Sequence, residues 1–512
     1  MRYGFVIDQN RCIGCHACTV ACKEEHGTPL GVFRTWVKYI EKGTFPNASR
    51  HFAVMRCNHC DAAPCVEICP TSALFYREDR IVDFDNRRCI GCQSCMQACP
   101  YDALYIDPAS HTAAKCNFCA HRVELNLEPA CVVVCPTRAI SAGDLDNAAS
   151  NVGTIVATQK TAVRKPYKGT RPKLFYLGID GAFLQPASIQ PQSSHLFAGH
   201  NPANNDYSLI ESASSPGADT RAAYDVAHRQ AWDWMSAAYL WTKSIAAGVV
   251  IVAVLAMWLP SLRPLSRVTR YPVAAPLAAI LFTGITALFL IGHLKRPDRF
   301  YYILIKPNPR SWLVRGTWIL MAYSMLTVIW VGLFILGKSI PALVYLLSLL
   351  LALATAGYSA FLFAQAKGRD LWQSPLFLWL LIAQAAAAGS AILLLLECWS
   401  GADAIAASTL PQWLGGALAA HALIILTLIA TPTETEDATR AIRVFVSGAL
   451  RYRFWALAIL GGTVLPLALI AGAATSGRPL VAINFIAALS ALVGLFVFDD
   501  IWITAGQAPP LS

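Results

Sequence analysis

Charge is scarce in this chain. Of its 512 residues, 14% are Asp, Glu, Lys or Arg and 55% are hydrophobic, a balance that excludes a wholly soluble protein and leaves room for a large lipid-embedded part. An apolar run of signal-peptide length is also missing from the start, MRYGFVIDQNRCIGC, and the Arg87-Arg88 pair is internal rather than a twin-arginine leader. The expectation is a chain without an export signal of its own, with travel alongside an exported partner left open. No G-x-G-x-x-G loop follows a strand and no P-loop occurs, which sets aside dinucleotide and nucleotide-phosphate chemistry. The formal charge of +10 could point to nucleic acid. Here, however, many Lys and Arg sit in short loops between apolar runs, where membrane topology accounts for them, so no nucleic-acid partner is expected.

Cysteine is present but confined. Sixteen of the 17 lie between Cys12 and Cys135, and only Cys398 lies outside. They form four groups: Cys12, Cys15, Cys18, Cys22; Cys57, Cys60, Cys65, Cys69; Cys89, Cys92, Cys95, Cys99; and Cys116, Cys119, Cys131, Cys135. The first and third read C-x2-C-x2-C-x3-C, and the last three each end in Cys-Pro, the bacterial ferredoxin run. Three close thiolates wrap one face of a cubane, while the fourth, turned away by proline, reaches another cluster. A disulfide framework suits a short secreted domain and needs no such repeat. Tetrahedral zinc takes four ligands and has no use for a borrowed fourth Cys-Pro. Cys12-Ile13-Gly14-Cys15-His16 also matches the c-type haem attachment motif, but Cys18 and Cys22 continue the ferredoxin run, so His16 reads as incidental.

Spacing also suggests which cysteines share a cluster. The second and third groups are separated only by Pro70 to Arg88, so they form one two-cluster unit with exchanged fourth ligands: Cys57, Cys60, Cys65 with Cys99, and Cys89, Cys92, Cys95 with Cys69. The outer groups are left with each other: Cys12, Cys15, Cys18 with Cys135, and Cys116, Cys119, Cys131 with Cys22. Two ferredoxin units are thus nested. With the stretch Arg164-Lys165-Pro166-Tyr167-Lys168-Gly169-Thr170-Arg171-Pro172-Lys173-Leu174-Phe175-Tyr176, this pattern resembles the four-cluster iron-sulfur subunits of molybdopterin oxidoreductases, such as dimethyl sulfoxide, polysulfide and nitrite-linked reductases, over about residues 1 to 180. All sixteen positions are Cys, so four 4Fe-4S centres are expected.

Residues 184–236, rich in Ser, Ala, Asn, Pro and Gln up to about Arg229, read as a flexible connector. His195, His200 and His228 lie in or beside it and read as loop residues. Eight apolar runs follow, at about 237–259, 271–292, 312–336, 341–364, 375–397, 412–430, 454–474 and 479–499, each long enough to span a bilayer as a helix. Eight spans put both ends of this part on one side. Loops on that side carry twelve cations (Lys295, Arg296, Arg299, Lys306, Arg310, Arg315, Lys367, Arg369, Arg440, Arg443, Arg451, Arg453), and the opposite loops carry five (Arg263, Arg267, Arg270, Lys338, Arg478). That bias predicts a multi-pass protein of the bacterial inner membrane with the cysteine-rich domain in the cytoplasm. The expected fold is therefore α+β, a nested double bacterial-ferredoxin domain over 1–183, followed by an all-α polytopic membrane domain of eight transmembrane helices over 237–512.

Between the second and third runs stands Gly292-His293-Leu294-Lys295-Arg296-Pro297-Asp298-Arg299-Phe300-Tyr301-Tyr302, then Lys306-Pro307-Asn308-Pro309-Arg310-Ser311-Trp312-Leu313-Val314-Arg315-Gly316. From about Trp232 to the end the chain resembles the polysulfide-reductase (NrfD-type) membrane subunit. That resemblance implies a quinone site, for menaquinone or ubiquinone, near the iron-sulfur part and without haem. Tyr358, in Gly357-Tyr358-Ser359, matches the family position that contacts quinone, and His293, Lys243, Tyr239 and Asp298 are further candidates. Each has a plainer reading: an interfacial Tyr, a snorkelling Lys243, an Asp298 paired with neighbouring cations. His293 stands where many relatives carry Asp, so no proton-handling role is carried over from that acid. Bis-histidine haem needs two facing His at matched depth, and this part offers only His293 and His421.

No segment is large enough for a molybdopterin active site. The expectation is therefore an electron-transfer and membrane-anchor subunit that passes electrons between a separate molybdopterin catalytic subunit and the quinone pool, with membrane lipid as its surroundings. Two rivals are an autonomous ferredoxin-linked quinone oxidoreductase and a redox-coupled proton translocator. Glu397, Asp499 and Asp500 fall at the ends of apolar runs, which counts against the latter.

Overall fold

The computed structural model describes residues 1–190, 197–198, 219–226, 230–258, 271–400, 404–476 and 481–512. His195, His200 and His228 lie outside the described residues. In the cysteine-rich part, cysteine loops rather than long elements set the chain path. The strand Tyr3–Asp8 lies antiparallel to Ile140–Asp144 and parallel to Leu174–Leu177. The beginning of this domain is thereby sewn to its end, as nested units require. Two hairpins, Leu74–Tyr76 with Val82–Phe84 and Leu104–Ile106 with Ala113–Lys115, belong to the inner unit.

The cysteine loops repeat in backbone as well as in sequence. Gly14 and Gly91 have φ of 71° and 69°, and His16 and Gln93, two residues on, have 59° and 62°. The pair Cys57-Asn58-His59-Cys60 and Cys116-Asn117-Phe118-Cys119 repeats a second turn, with φ of 43° at His59 and 65° at Phe118. His16 packs against the rings of Tyr39 and Tyr224.

The segment expected to be a plain connector is partly structured. Thr220–Val226 is a strand on the edge of the hairpin formed by Thr35–Lys42 and Ser49–Arg56. Asp225 on that strand pairs with the buried Lys38 at 2.9 Å. The strand is held by ladder hydrogen bonds and this ion pair, so its own weak apolar alternation gave no sign of it.

Among the described residues, eight helices are long and apolar enough to cross a membrane: Trp234–Trp258, Val273–Gly292, Trp312–Ile335, Ala342–Gln365, Leu376–Trp399, Thr409–Ala430, Arg453–Thr475 and Val481–Gln507. The first is the hub, with 83% of its most apolar stretch buried against 28% and 22% for the second and third. Its Gly248 packs backbone to backbone on Ala385 and Gly389 of the fifth, leaving no room for a Cβ, the close approach that small residues allow in lipid. Gly248→Leu is therefore expected to destabilise the membrane domain beyond the ~1–3 kcal/mol of ordinary overpacking, because backbone rather than side chain must move. Thermal unfolding in detergent would read this, and a wild-type midpoint would contradict it.

The eighth helix corrects the placement of its acids. It runs on to Gln507, so Asp499 and Asp500 lie within it rather than at its end. Asp499 is 1% exposed and accepts a 2.7 Å hydrogen bond from Gln384 Nε2. An apolar window stops at the first charge, whereas a helix of 27 residues rises about 40 Å, longer than the ~30 Å hydrocarbon core. Its surplus length reaches the cysteine-rich domain, where Gln507 meets Gln97 and also the Ala231 and Trp232 amides. Both ends of the membrane domain thus lie against the cysteine-rich domain.

Candidate functional site

Thiols from different cysteine loops lie within electrostatic reach of one another, most of them buried. Cys12 is neighboured by Cys135 and Cys15; Cys119 by Cys131 and Cys22; Cys60 by Cys57, Cys99 and Cys65; and Cys92 by Cys69 and Cys89. Electrostatic reach between sets suggests a row. Cys18 lies within such reach of Cys131, Cys116 of Cys57, and Cys95 of Cys65. The order runs from the Cys12 set through the Cys22 and Cys57 sets to the Cys89 set. Cys15, in the first set, is exposed, and the last set lies against the membrane domain.

All 17 cysteines are unbridged. Burial pushes the Cys18 and Cys92 thiols up to about 12, and Cys99 and Cys119 to about 11. Thiols shifted this way stay protonated at neutral pH and become thiolates only when a metal displaces the proton. Four-thiol sets in apolar surroundings, with backbone amides donating to sulfur, as Ala113 N to Cys89 Sγ at 3.3 Å and Ala139 N to Cys135 Sγ at 3.2 Å, fit iron-sulfur cubanes.

The membrane domain grips the loops of the last set. Lys295 N and Arg296 N donate to the carbonyls of Gly91 and Ile90, at 3.3 and 3.2 Å. Asn308 Nδ2 donates to Cys69 O at 2.8 Å, Ser311 Oγ to Ile68 O at 2.7 Å, and the Trp232 indole to Cys92 O at 3.4 Å. A Cβ on Gly91 would lie 2.7 Å from Lys295 Cβ and 2.9 Å from His111 O, so glycine is needed there for contact as well as for φ. The Arg164 to Tyr176 stretch adds a second clasp, with Lys168 pairing with Asp370 and Lys165 lying 3.8 Å from Asp437. Several of the twelve cations counted for topology are thus docking residues, among them Arg299, on Asn86 O, and Arg369, on Gln97.

Beside the grip lies a cavity of about 60 Å³. Its wall joins Cys92 and Ser94 of the last set to Trp232, Met235, Ser236, Tyr239, Phe289, Leu290, His293, Leu294, Leu313, Leu362 and Phe363. An apolar lining with few polar groups is the usual character of a small-molecule site. Of the five candidates, Tyr239 and His293 line the cavity. The hydroxyl of Tyr239 donates to Tyr358 at 3.1 Å and bonds Ser359, which puts Tyr358 one hydrogen bond behind the wall. Lys243 is deeper, donating to Ala356 O at 2.8 Å and Ser359 Oγ at 3.0 Å. Asp298 is not brought to the cavity; it pairs with Arg296 at 2.8 Å and Arg299 at 3.8 Å on an exposed loop.

His293 Nδ1 lies 3.4 Å from Asp233, and Nε2 is buried with no hydrogen-bond partner among the described residues. The ring's hydrogen bond holds the Asp233 carboxyl below the usual carboxylate range despite opposing burial. Sequence reasoning missed Asp233 and Trp232, which sit just before the first helix, and the docking residues Asn308 and Ser311. Their only signal was membership of two polar stretches flanking apolar runs.

Comparison with known proteins agrees with this division. Residues 224–509 match the family described as "Polysulphide reductase, NrfD", residues 49–145 match a 4Fe-4S dicluster domain, and residues 3–24 match a 4Fe-4S binding domain. The chain is similar to a tetrathionate reductase subunit of Salmonella typhimurium, at 46% identity over 36% of this chain and 76% of the relative. It is also similar to a component of the polysulfide reductase of Wolinella succinogenes, at 41% identity over 34% and 93%. Protein NrfC of Escherichia coli is 42% identical over 34% and 80%.

Proposed function

We propose, starting from a chain that belongs to the polysulphide reductase, NrfD, family and carries 4Fe-4S domains ahead of that part, that it conducts electrons between a separate catalytic subunit and membrane quinone. The observation that carries this reading is the shared wall of the cavity, where Cys92 of the last thiol set faces the same small space as Tyr239 and His293. Sixteen thiols in a row of four sets suit four 4Fe-4S clusters, which supply one-electron steps when bound. Quinone reduction takes two electrons and two protons. His293, whose Nε2 has no partner among the described residues, is the group placed to hydrogen-bond a carbonyl, Tyr239 can donate to the other only by giving up its bond to Tyr358, and Asp233 orients the imidazole. The cavity is narrow against the ~300–1,000 Å³ of common ligand pockets, so a quinone ring enters by displacing lining side chains, of which the flexible Met235 is the readiest.

At the far end the exposed Cys15 offers an electron entry or exit to a partner. Relatives named as parts of tetrathionate and polysulfide reductases support a catalytic partner, for which the molybdopterin class is our reading. The excess of Lys and Arg on the domain side of the helices supports a cytoplasmic cysteine-rich domain. Mass spectrometry of the complex gently extracted from its native membrane tests the proposal. A stoichiometric large molybdopterin protein is the expected result. A chain that purifies alone with full iron would instead favour a ferredoxin-linked quinone oxidoreductase.

The buried Asp499 supports a second reading, coupling of electron flow to proton movement. It lies within electrostatic reach of Lys243 and bonds Gln384, and intramembrane acids of this kind often handle protons. Under this reading Asp499→Asn slows proton uptake by proteoliposomes at least tenfold while electron delivery to quinone falls less. Equal loss of both would tie Asp499 to quinone chemistry alone.

A further inference from the structure

Arg56 ends the strand Ser49–Arg56 and points into the row of thiol sets. It is 1% exposed, and Nη1 donates to Cys131 Sγ at 3.1 Å. Its guanidinium lies 4.5 Å from the centroid of the Phe5 ring. Nε and Nη2 are buried without hydrogen-bond partners. Among the described residues its largest electrostatic partners are thiols, Cys131 and Cys116 of the second set and Cys18 of the first, with no carboxylate among them. A buried guanidinium with two idle donors and no acid is strongly unfavourable, so its position makes sense only beside an anion. A 4Fe-4S cluster held by four thiolates would be such an anion, and would supply sulfur acceptors for the idle donors.

Resting on the assignment of clusters to these thiols, we propose that Arg56 sets the reduction potential of the second cluster in the row, held by Cys22, Cys116, Cys119 and Cys131, and to a lesser degree that of the first. Adding an electron makes the cluster more negative, and a fixed positive charge in a water-poor site stabilises that reduced form more than the oxidised one. Hydrogen bonds to a ligand sulfur act in the same direction. Arg56 therefore keeps the second cluster easier to reduce than burial alone would make it. The hydrogen bond and the largest electrostatic partners of Arg56 are thiols of the first and second sets, so the largest shift is expected there.

The test is an EPR-monitored redox titration of the purified full chain, with iron content measured alongside. Arg56→Gln is expected to keep four clusters and to lower one midpoint by at least tenfold in the one-electron equilibrium constant, about 59 mV. The shifted signal should be the one lost in Cys119→Ser. Arg56→Lys, which keeps the charge but loses the Nη1 bond to Cys131, should recover only part of the shift. Four unchanged midpoints in Arg56→Gln with full iron would overturn the proposal. Should Arg56→Gln lose the cluster, Arg56→Lys decides: without the Nη1 bond to Cys131 its midpoint falls by a smaller amount, and an unchanged midpoint overturns the proposal. A wild-type chain with fewer than four clusters would sink the underlying cluster reading, whatever Arg56 does.

Discussion

Replacing His293 with Ala is expected to cut quinone-linked electron transfer about 100-fold or more while leaving every cluster signal in place. A positioned acid or base contributes about 10²–10⁴ to a proton-coupled step, and His293 lines the cavity with a buried Nε2 that has no partner among the described residues. The loss should fall mainly on kcat, because a group that acts when the quinone takes its proton stabilises the transition state more than the bound ground state. Asp233→Asn, which removes the orienting carboxylate but keeps the imidazole, should cost less, as second partners of functional histidines do. Turnover with a soluble quinone analogue, measured beside the EPR spectrum, checks both. A His293→Ala chain with wild-type kcat would remove this residue from the chemistry and leave Tyr239 as the polar group on the wall best placed for it.

The contrast between His293 and Tyr358 shows how far sequence reached. Cysteine spacing made the 4Fe-4S domains legible, because covalent ligands of a cubane must recur at short fixed intervals. Helix count followed from apolar run length, because a bilayer imposes it. Tyr358 was the leading quinone candidate by family resemblance, yet the wall is formed by Tyr239 from the first helix, with Tyr358 behind it. Which of two hydrogen-bonded tyrosines faces a cavity depends on helix rotation, and an all-round apolar helix gives no periodic signal of that. Asp499 was misplaced because hydropathy measures composition while helix length is decided by packing, here by the reach of Gln507 to Gln97. The docking surface was illegible for a different reason. Asn308 and Ser311 bond carbonyls of Cys69 and Ile68, some 240 positions earlier, and main-chain carbonyls carry no residue identity for a sequence to display.

Replacing Cys92 with Ser should abolish quinone reduction altogether, to the level of membranes lacking the chain. Cys92 belongs to the last thiol set, the set whose residues reach the cavity wall, and its carbonyl takes the Trp232 indole. Loss or conversion of this cluster breaks the row at its membrane end, while the other three sets, each with its own four thiols, still assemble and accept electrons from dithionite. Cys15→Ser supplies the opposite break. It damages the exposed end of the row, so transfer from the catalytic partner fails, yet a small reductant that enters farther along still delivers electrons to quinone. This pair separates a conduit from a cofactor store. If Cys92→Ser kept three clusters and reduced quinone at the wild-type rate, the quinone site would lie elsewhere. If Cys15→Ser and Cys92→Ser behaved alike with dithionite, the four sets would not act as one row with a partner at one end and the membrane at the other.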